Sequence, residues 1–254
     1  MADAVAGIVR GAGRAGVFLD VDGTLAPIVP RPELAAVLPE VPELLVRLAR
    51  RVGIVAVVSG RPSEQVRALV DADGVVVVGT HGLEDEPDMR PEVLAAIEAA
   101  AGAVGAWVEP KGAAVAVHFR GLNDPEAAAA AAEPALAAVA AAHGLELLGG
   151  KRIIELTPPG PRKGGAVARL TRERDLRAVL FAGDDVGDLD AFAVLRRLRA
   201  EGIWTCGIAS RGRETAPEVL AAADVAVDGP EGVAALLGAL ADELNGAEGS
   251  LGSR

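Results

Sequence analysis

Apolar positions along the chain fall into two recurring patterns. Short, nearly unbroken runs of Val, Ile, Leu and Ala occur at Val17 to Val21, Ile54 to Val58, Val75 to Val78, Ala178 to Ala182 and Val225 to Val227. Each is too short for a stable helix and lacks the polar alternation of a half-exposed strand, so each predicts a strand buried on both faces of a parallel sheet. Between these runs the apolar residues return at helical spacing. Val41, Leu44, Leu45 and Leu48 form one such stripe, and Gly53 is placed to stop that helix. Strand and helix patterns in alternation predict an α/β domain with helices on both faces of the sheet.

From about Glu84 to Thr157 the pattern changes. A helical stretch (Pro91 to Ala101) is followed by two strand-like runs (Ala106 to Glu109, Ala113 to Phe119), a second helix, then two more strands. That order predicts a smaller α+β domain over 84–157, inserted into a core made of 1–83 and 158–254. Asp124 as N-cap and Pro125 at the first helical position open the second helix, and Pro134 is expected to kink or split it. The alanine-rich composition of that stretch also leaves open a flexible low-complexity linker. Gly202 reads as punctuation, and the Gly/Ser-rich tail after Asn245 as a frayed end.

At 254 residues the chain can bury an apolar core without covalent staples. Its single cysteine, Cys206, has no partner, and no Cys/His cluster hints at zinc, which together suit a reducing compartment and a cytoplasmic location. Met1 to Gly16 lacks the apolar stretch of a signal peptide or membrane span, so a soluble protein is expected. A formal net charge of −11, with no basic run offsetting it, argues against nucleic acid as a partner. Nothing in the sequence sets an oligomeric state, and a monomer is the expectation. An anionic ligand would need local positive charge.

Polar residues follow four of the strand-like runs directly, and in open α/β sheets ligands bind at the carboxyl ends of strands. Asp20-Val21-Asp22-Gly23-Thr24 closes the first run, and alternation along an extended segment can turn both carboxylates to one pocket. Two carboxylates there repel unless a cation or a proton intervenes. A calcium loop is excluded, because the glycine of its sixth position and the glutamate of its twelfth are replaced by Leu25 and Arg31. An ordinary polar turn remains open.

Ser59-Gly60-Arg61 after the second run offers a hydroxyl and backbone N–H groups to a phosphate, ahead of a helix opened by Pro62; a plain helix entry has the same appearance. Lys163-Gly164-Gly165 sets an ammonium beside a helix N-terminus, where a merely solvated lysine would also fit. Gly183-Asp184-Asp185, with Asp188 and Asp190 beyond, supplies hard oxygen ligands suited to magnesium, or acidic charge favourable at a helix start. The order acid pair, hydroxyl, lysine, acid pair, each at a strand end, makes the functional reading of all four stronger than that of any one.

Taken together, these clusters resemble the four motifs of the haloacid dehalogenase-like superfamily of phosphotransferases, at Asp20 to Thr24, Ser59, Lys163 and Asp184-Asp185. Within it the chain is similar to the trehalose-6-phosphate phosphatase family in Asp20 to Ile28, in Ser59-Gly60-Arg61 and in Gly79-Thr80-His81-Gly82-Leu83-Glu84, over about Val17 to Leu237. The resemblance implies a Rossmann-like core with an inserted cap of the C2 type. It also implies sugar-contacting cap residues at Glu109-Pro110-Lys111, His118-Phe119-Arg120 and Glu155, although a salt-bridge network could use the same side chains. Two positions depart from the family's Gly-Asp-Asp-x-Thr-Asp-Glu: Gly187 stands for the threonine and Leu189 for the glutamate.

The chemistry that the resemblance implies is a magnesium-dependent hydrolysis of trehalose 6-phosphate, a small sugar phosphate, to trehalose and phosphate. Asp20 would be the nucleophile and Asp22 the general acid and base, beginning the cycle protonated. Asp20, Asp184 and the Asp22 backbone carbonyl would hold Mg2+, while Ser59, Gly60 and Lys163 hold the phosphate. Glu109, Lys111, Arg120 and Glu155 would bind the sugar, with Thr24, Arg61, His81, Asp185 and Asp188 in support. Rival readings are a related phosphatase for sucrose phosphate or mannosyl-phosphoglycerate, or a phospho-accepting signalling domain.

Overall fold

The computed structural model describes residues 2–83, 87–150, 152–159 and 162–251. Residue 84, where the inserted domain is expected to begin, lies outside the described residues, as does the Glu84 that ends the third family-like motif. Six parallel strands form the main sheet: β1 (Ala15–Leu19), β2 (Ile54–Val58), β3 (Val76–Val78), β8 (Ala178–Gly183), β9 (Trp204–Arg211) and β10 (Val225–Asp228), in the order β10-β9-β8-β1-β2-β3. The second sheet is antiparallel, in the order β4-β5-β7-β6, built from β4 (Trp107–Lys111), β5 (Ala114–His118), β6 (Glu146–Gly150) and β7 (Ile153–Thr157).

Side chains alternate across the main sheet even though both faces are buried. Val17 and Leu19 of β1 enter one apolar cluster with α1 (Ala2–Arg10), α2 (Val41–Ala49), α3 (Ser63–Val70) and α9 (Gly229–Leu251). Phe18 enters the other, with α6 (Lys163–Glu173), α7 (Leu189–Ala200) and α8 (Pro217–Ala222). The second sheet has one such face: Val115, Val117, Ile154 and Leu156 pack on α4 (Pro91–Gly102) and α5 (Pro125–His143) around the fully buried Phe119. No described helix is long and apolar enough to cross a membrane.

Three expectations need correction, and two elements, β9 and α1, were not anticipated. Helix α5 runs unbroken through Pro134, which is exposed, so the carbonyl that loses its N–H partner faces water. Asp124 caps it as expected, accepting from the Ala127 N–H at 3.0 Å. The chain past Asn245 stays helical to Leu251. Gly202 is indeed a turn, but it leads into β9, a strand whose Thr205, Gly207 and Ser210 interrupt its apolar run. The N-terminal segment forms α1, whose Ala4, Val5 and Ile8 are buried. Finally, α2 ends before Gly53, which lies directly before β2.

Candidate active site

The carboxyl ends of β1, β2 and β8 lie side by side, so Asp20, Ser59 and Asp184 meet at one edge of the main sheet. The Asp20 N–H donates to the Ala182 carbonyl at 2.9 Å, carrying the β1–β8 pairing one residue further and fixing where the loop begins. Gly23 turns that loop with φ +81°, and a Cβ there would stand 1.8 Å from Asp184 Oδ2. Only glycine therefore lets this loop and the Asp184 carboxylate approach each other. Ser210 Oγ, at the end of β9, donates to the Gly23 carbonyl at 2.6 Å and holds the loop from the other side.

Lys163, at the start of α6, sends its ammonium into the middle of these acids, 2.6 Å from Asp20 Oδ1 and 2.7 Å from Asp188 Oδ1. The second oxygen of Asp188 accepts the Asp184 and Asp185 N–H groups at 2.8 and 3.0 Å, so Asp188 shapes the turn between β8 and α7. Asp185 caps the same turn by accepting from the Val186 N–H at 2.7 Å. Asp20, Asp184 and Asp188 are all buried, each offering an oxygen within 4.8 Å of the others.

Burial pushes the Asp20 carboxyl up to about 7, against the pull of the Lys163 ammonium. Burial works against the Lys163 charge too, but the neighbouring Asp188 and Asp20 carboxylates outweigh it and raise the ammonium's pKa. Three buried carboxylates around one ammonium carry excess negative charge in hard oxygen donors, which fits a small metal cation. With both Asp188 oxygens engaged, Asp20 and Asp184 are the better placed ligands.

Asp22 points elsewhere. Its two oxygens accept from Arg61, Nε at 2.7 Å and Nη2 at 2.8 Å, and Arg61 also donates to the Pro32 carbonyl at 3.1 Å. The Asp22 side chain thus stays outside the carboxylate cluster. Ser59 is buried, and its Oγ accepts from the Arg61 N–H at 3.2 Å. Gly60 lies under His81, where a Cβ would stand 2.7 Å from Nε2. Thr80 and His81 both adopt left-handed backbone, φ +44° and +54°. For a β-branched residue followed by another side-chain-bearing one this is strained, and it delivers the imidazole to the site.

The second sheet covers this edge with the face opposite its own core. Strand register places Trp107, Glu109 and Lys111 of β4 on that face beside His118 of β5 and Glu155 of β7. Glu155 lies 3.1 Å from His81 Nε2 and 3.5 Å from Lys111 Nζ. Burial would raise the Glu155 carboxyl, but His81 and Lys111 together hold it down at about 2. Glu109 lies 2.9 Å from His118 Nε2 and 3.8 Å from Lys111 Nζ. Trp107 stacks on His118 with ring centroids 3.9 Å apart.

Between the two sheets lies a cavity of about 480 Å³. Asp20, Asp22, Ser59, Gly60, Arg61, His81, Glu109, Lys111, Arg120, Glu155, Lys163, Asp184 and Asp185 all line it. Asp188 acts from behind, and Thr24, fully buried, does not reach it. Arg120 is not a free sugar-binding cation: it is engaged by Glu214 of the main domain at 2.9 and 2.8 Å while forming part of the wall. His118 gains a site position that its motif alone left vague, through its register opposite Trp107. Asp190, which accepts from the Gly164 N–H at 2.9 Å, and Arg162, paired with Glu146, also line the cavity. No local pattern in the sequence marks Arg162 or Glu214. Gly187 is exposed and its missing Cβ would meet nothing within 4 Å, so this departure leaves space at the cavity wall without touching the acids.

A family model described as trehalose-phosphatase matches residues 18–90 and 84–218. An uncharacterized glycosyl hydrolase of Mycobacterium tuberculosis is 36% identical over 207 residues, covering 72% of this chain. The chain spans only 15% of that protein's length. A probable trehalose-phosphate phosphatase of Sinorhizobium fredii is 31% identical, covering 72% of this chain and 74% of its own. Among solved structures, the C-terminal domain of the Candida albicans trehalose-6-phosphate phosphatase superposes with a TM-score of 0.80 at 21% identity, covering 95% of this chain and 96% of that one. At that identity the likeness establishes the shared fold alone, the parallel α/β sheet with its second, antiparallel sheet.

Proposed function

Since the chain belongs to the trehalose-phosphatase family, we propose that it hydrolyses trehalose 6-phosphate to trehalose and inorganic phosphate through an aspartyl-phosphate on Asp20. The observation that carries this reading is one cavity with two chemically different walls. The Asp20, Lys163 and Asp184 wall suits phosphoryl transfer; the Glu109, Lys111 and Glu155 wall suits sugar hydroxyls.

In this reading residues 84–157 form the cap and the rest the catalytic core. Lys163 and Ser59 hold phosphate oxygens, and an Asp20 oxygen attacks phosphorus as the bond to the sugar C6 oxygen breaks. Asp22 gives its proton to that oxygen, then takes one from the water that cleaves the aspartyl-phosphate and regenerates Asp20. To do so Asp22 must take up a proton as it exchanges part of its contact with Arg61 for the leaving oxygen, and the phosphate is the natural new partner for Arg61. Asp20 and Asp184 are the residues to hold Mg2+, which when bound supplies positive charge against the repulsion between carboxylate and phosphate. Glu109, Lys111 and Glu155 orient the sugar, and the cap excludes bulk water. We place this activity in the cytoplasm, in trehalose synthesis.

The test is phosphate release from trehalose 6-phosphate with and without Mg2+, beside sucrose phosphate, mannosyl-phosphoglycerate and a small aryl phosphate. Trehalose 6-phosphate should be the best substrate. Asp20→Asn should remove turnover, and Asp22→Asn should slow it by roughly 10²–10⁴-fold. Lys111→Ala should harm trehalose 6-phosphate far more than the aryl phosphate. Near-normal turnover by Asp20→Asn would defeat the mechanism, and equal losses in Lys111→Ala would defeat the assignment of the sugar wall.

A further inference from the structure

We propose that Glu214 is a positioning residue that latches the cap to the core and couples the position of Arg120 to that of the nucleophile loop. Resting on the function proposed above, it adds a core residue to the sugar end of the site. Arg120 leaves β5 directly after Phe119, whose side chain is fully buried in the cap's own core, so its backbone is a rigid part of the cap. Its guanidinium meets Glu214 through two parallel hydrogen bonds of 2.9 and 2.8 Å. Such a two-point pair fixes direction as well as distance. Both side chains are largely shielded, at 15% and 29% exposure, which spares the pair most of the screening that weakens surface bridges. A second cap cation, Arg152, approaches the same carboxylate at 3.8 Å.

The core side of the latch is equally constrained. Glu214 sits in the turn after β9, where Thr215 Oγ1 accepts from the Gly212 N–H at 2.9 Å and donates to the Ser210 carbonyl at 3.1 Å. Ser210 in turn donates to the Gly23 carbonyl at 2.6 Å. One short path therefore joins the nucleophile loop to Ser210, the turn, Glu214 and Arg120 in the cavity wall. When the cap lifts, Arg120 leaves Glu214; when it seats, Arg120 returns to a place set by the same strand end that supports the nucleophile loop.

The test is a double-substitution cycle with Glu214→Ala and Arg120→Ala, read on trehalose 6-phosphate and on a small aryl phosphate, with hydrogen exchange on the same proteins. Each single change should lower kcat/KM for trehalose 6-phosphate about tenfold, chiefly through KM, and the double change should lose no more than either alone. Losses on the aryl phosphate should be much smaller, and Glu214→Asp should recover part of the sugar-phosphate activity. Amides of 146–157 should exchange faster in both single variants while those of 15–19 keep their protection. Losses that multiply in the double variant, or equal losses on both substrates, overturn the latch, as does faster exchange throughout the chain. If the unaltered protein does not turn over trehalose 6-phosphate, the proposed substrate fails, while hydrogen exchange still decides the latch.

Discussion

Gly23 shows how one missing methyl can set the geometry of a site. Its backbone is left-handed, and a Cβ would fall 1.8 Å from an oxygen of Asp184, a fixed acid rather than the loose end of a long side chain. Gly23→Ala therefore meets two penalties: about 1 kcal/mol for the backbone conformation, and displacement of Asp184 from the loop that follows Asp20. The expected outcome is a lower melting temperature together with weaker Mg2+ binding, read by thermal denaturation and metal titration. Gly187→Ala is the matched control, since its Cβ would meet nothing within 4 Å; its stability should stay within about 0.5 kcal/mol of the parent. Equal damage from both would remove the special role given to Gly23. The sequence shows glycines at 23 and 187 alike, and only the approach of residue 184 separates them.

At the scale of elements, β7 carries the charge that joins the antiparallel sheet to the main one, because Glu155 meets Lys111 on its own sheet and His81 from the turn after β3. Its carboxyl is held at about 2 against an ordinary 4.5. A carboxyl lowered by folding stabilises the folded state fully above its unfolded value and loses that contribution as pH falls through the interval between the two. The pair of values corresponds to an upper figure on the order of 3 kcal/mol. Acid between roughly pH 4.5 and 2 should then destabilise the parent protein more than Glu155→Gln, so their melting temperatures converge as pH drops. A constant gap across that range would show that Glu155 contributes nothing through its charge. The elements themselves were unequally legible. Strands β1, β2, β8 and β10 stand out because their residues are almost all apolar. Strand β9 does not, since Gly207 is required where the Phe192 ring would come within 2.8 Å of a Cβ, and Thr205 and Ser210 turn their hydroxyls to specific partners. Motif residues could be placed at strand ends from the sequence alone, whereas Arg61 with Asp22, 39 residues apart, and Arg120 with Glu214, 94 apart, are products of the tertiary fold.

The whole molecule carries a formal charge of −11, an unpromising field for a phosphorylated substrate, and the cavity does not reverse it unaided. Among the described residues, seven carboxylates line it (Asp20, Asp22, Glu109, Glu155, Asp184, Asp185 and Asp190) against five permanent cations (Arg61, Lys111, Arg120, Arg162 and Lys163). Most of these charges are already committed in pairs: Lys163 to Asp20, Arg61 to Asp22, Lys111 to Glu155 and Arg162 to Glu146. A phosphate dianion entering such a cavity adds to an existing negative excess, at distances where a partly dehydrated site screens poorly. Asp20 and Asp184 are the residues that would hold a divalent cation, whose charge would offset that excess. Mg2+ should therefore govern binding itself and not merely the rate of the chemical step. Calorimetry with trehalose 6-phosphate and Asp22→Asn, slow enough to be titrated at low temperature, separates the two. With Mg2+ present the substrate should bind; with chelator it should bind at least tenfold more weakly, the equivalent of about 1.4 kcal/mol. Equal affinity in both conditions would mean that Arg61 and Lys163 suffice to receive the phosphate and that the charge balance of the cavity has been misread.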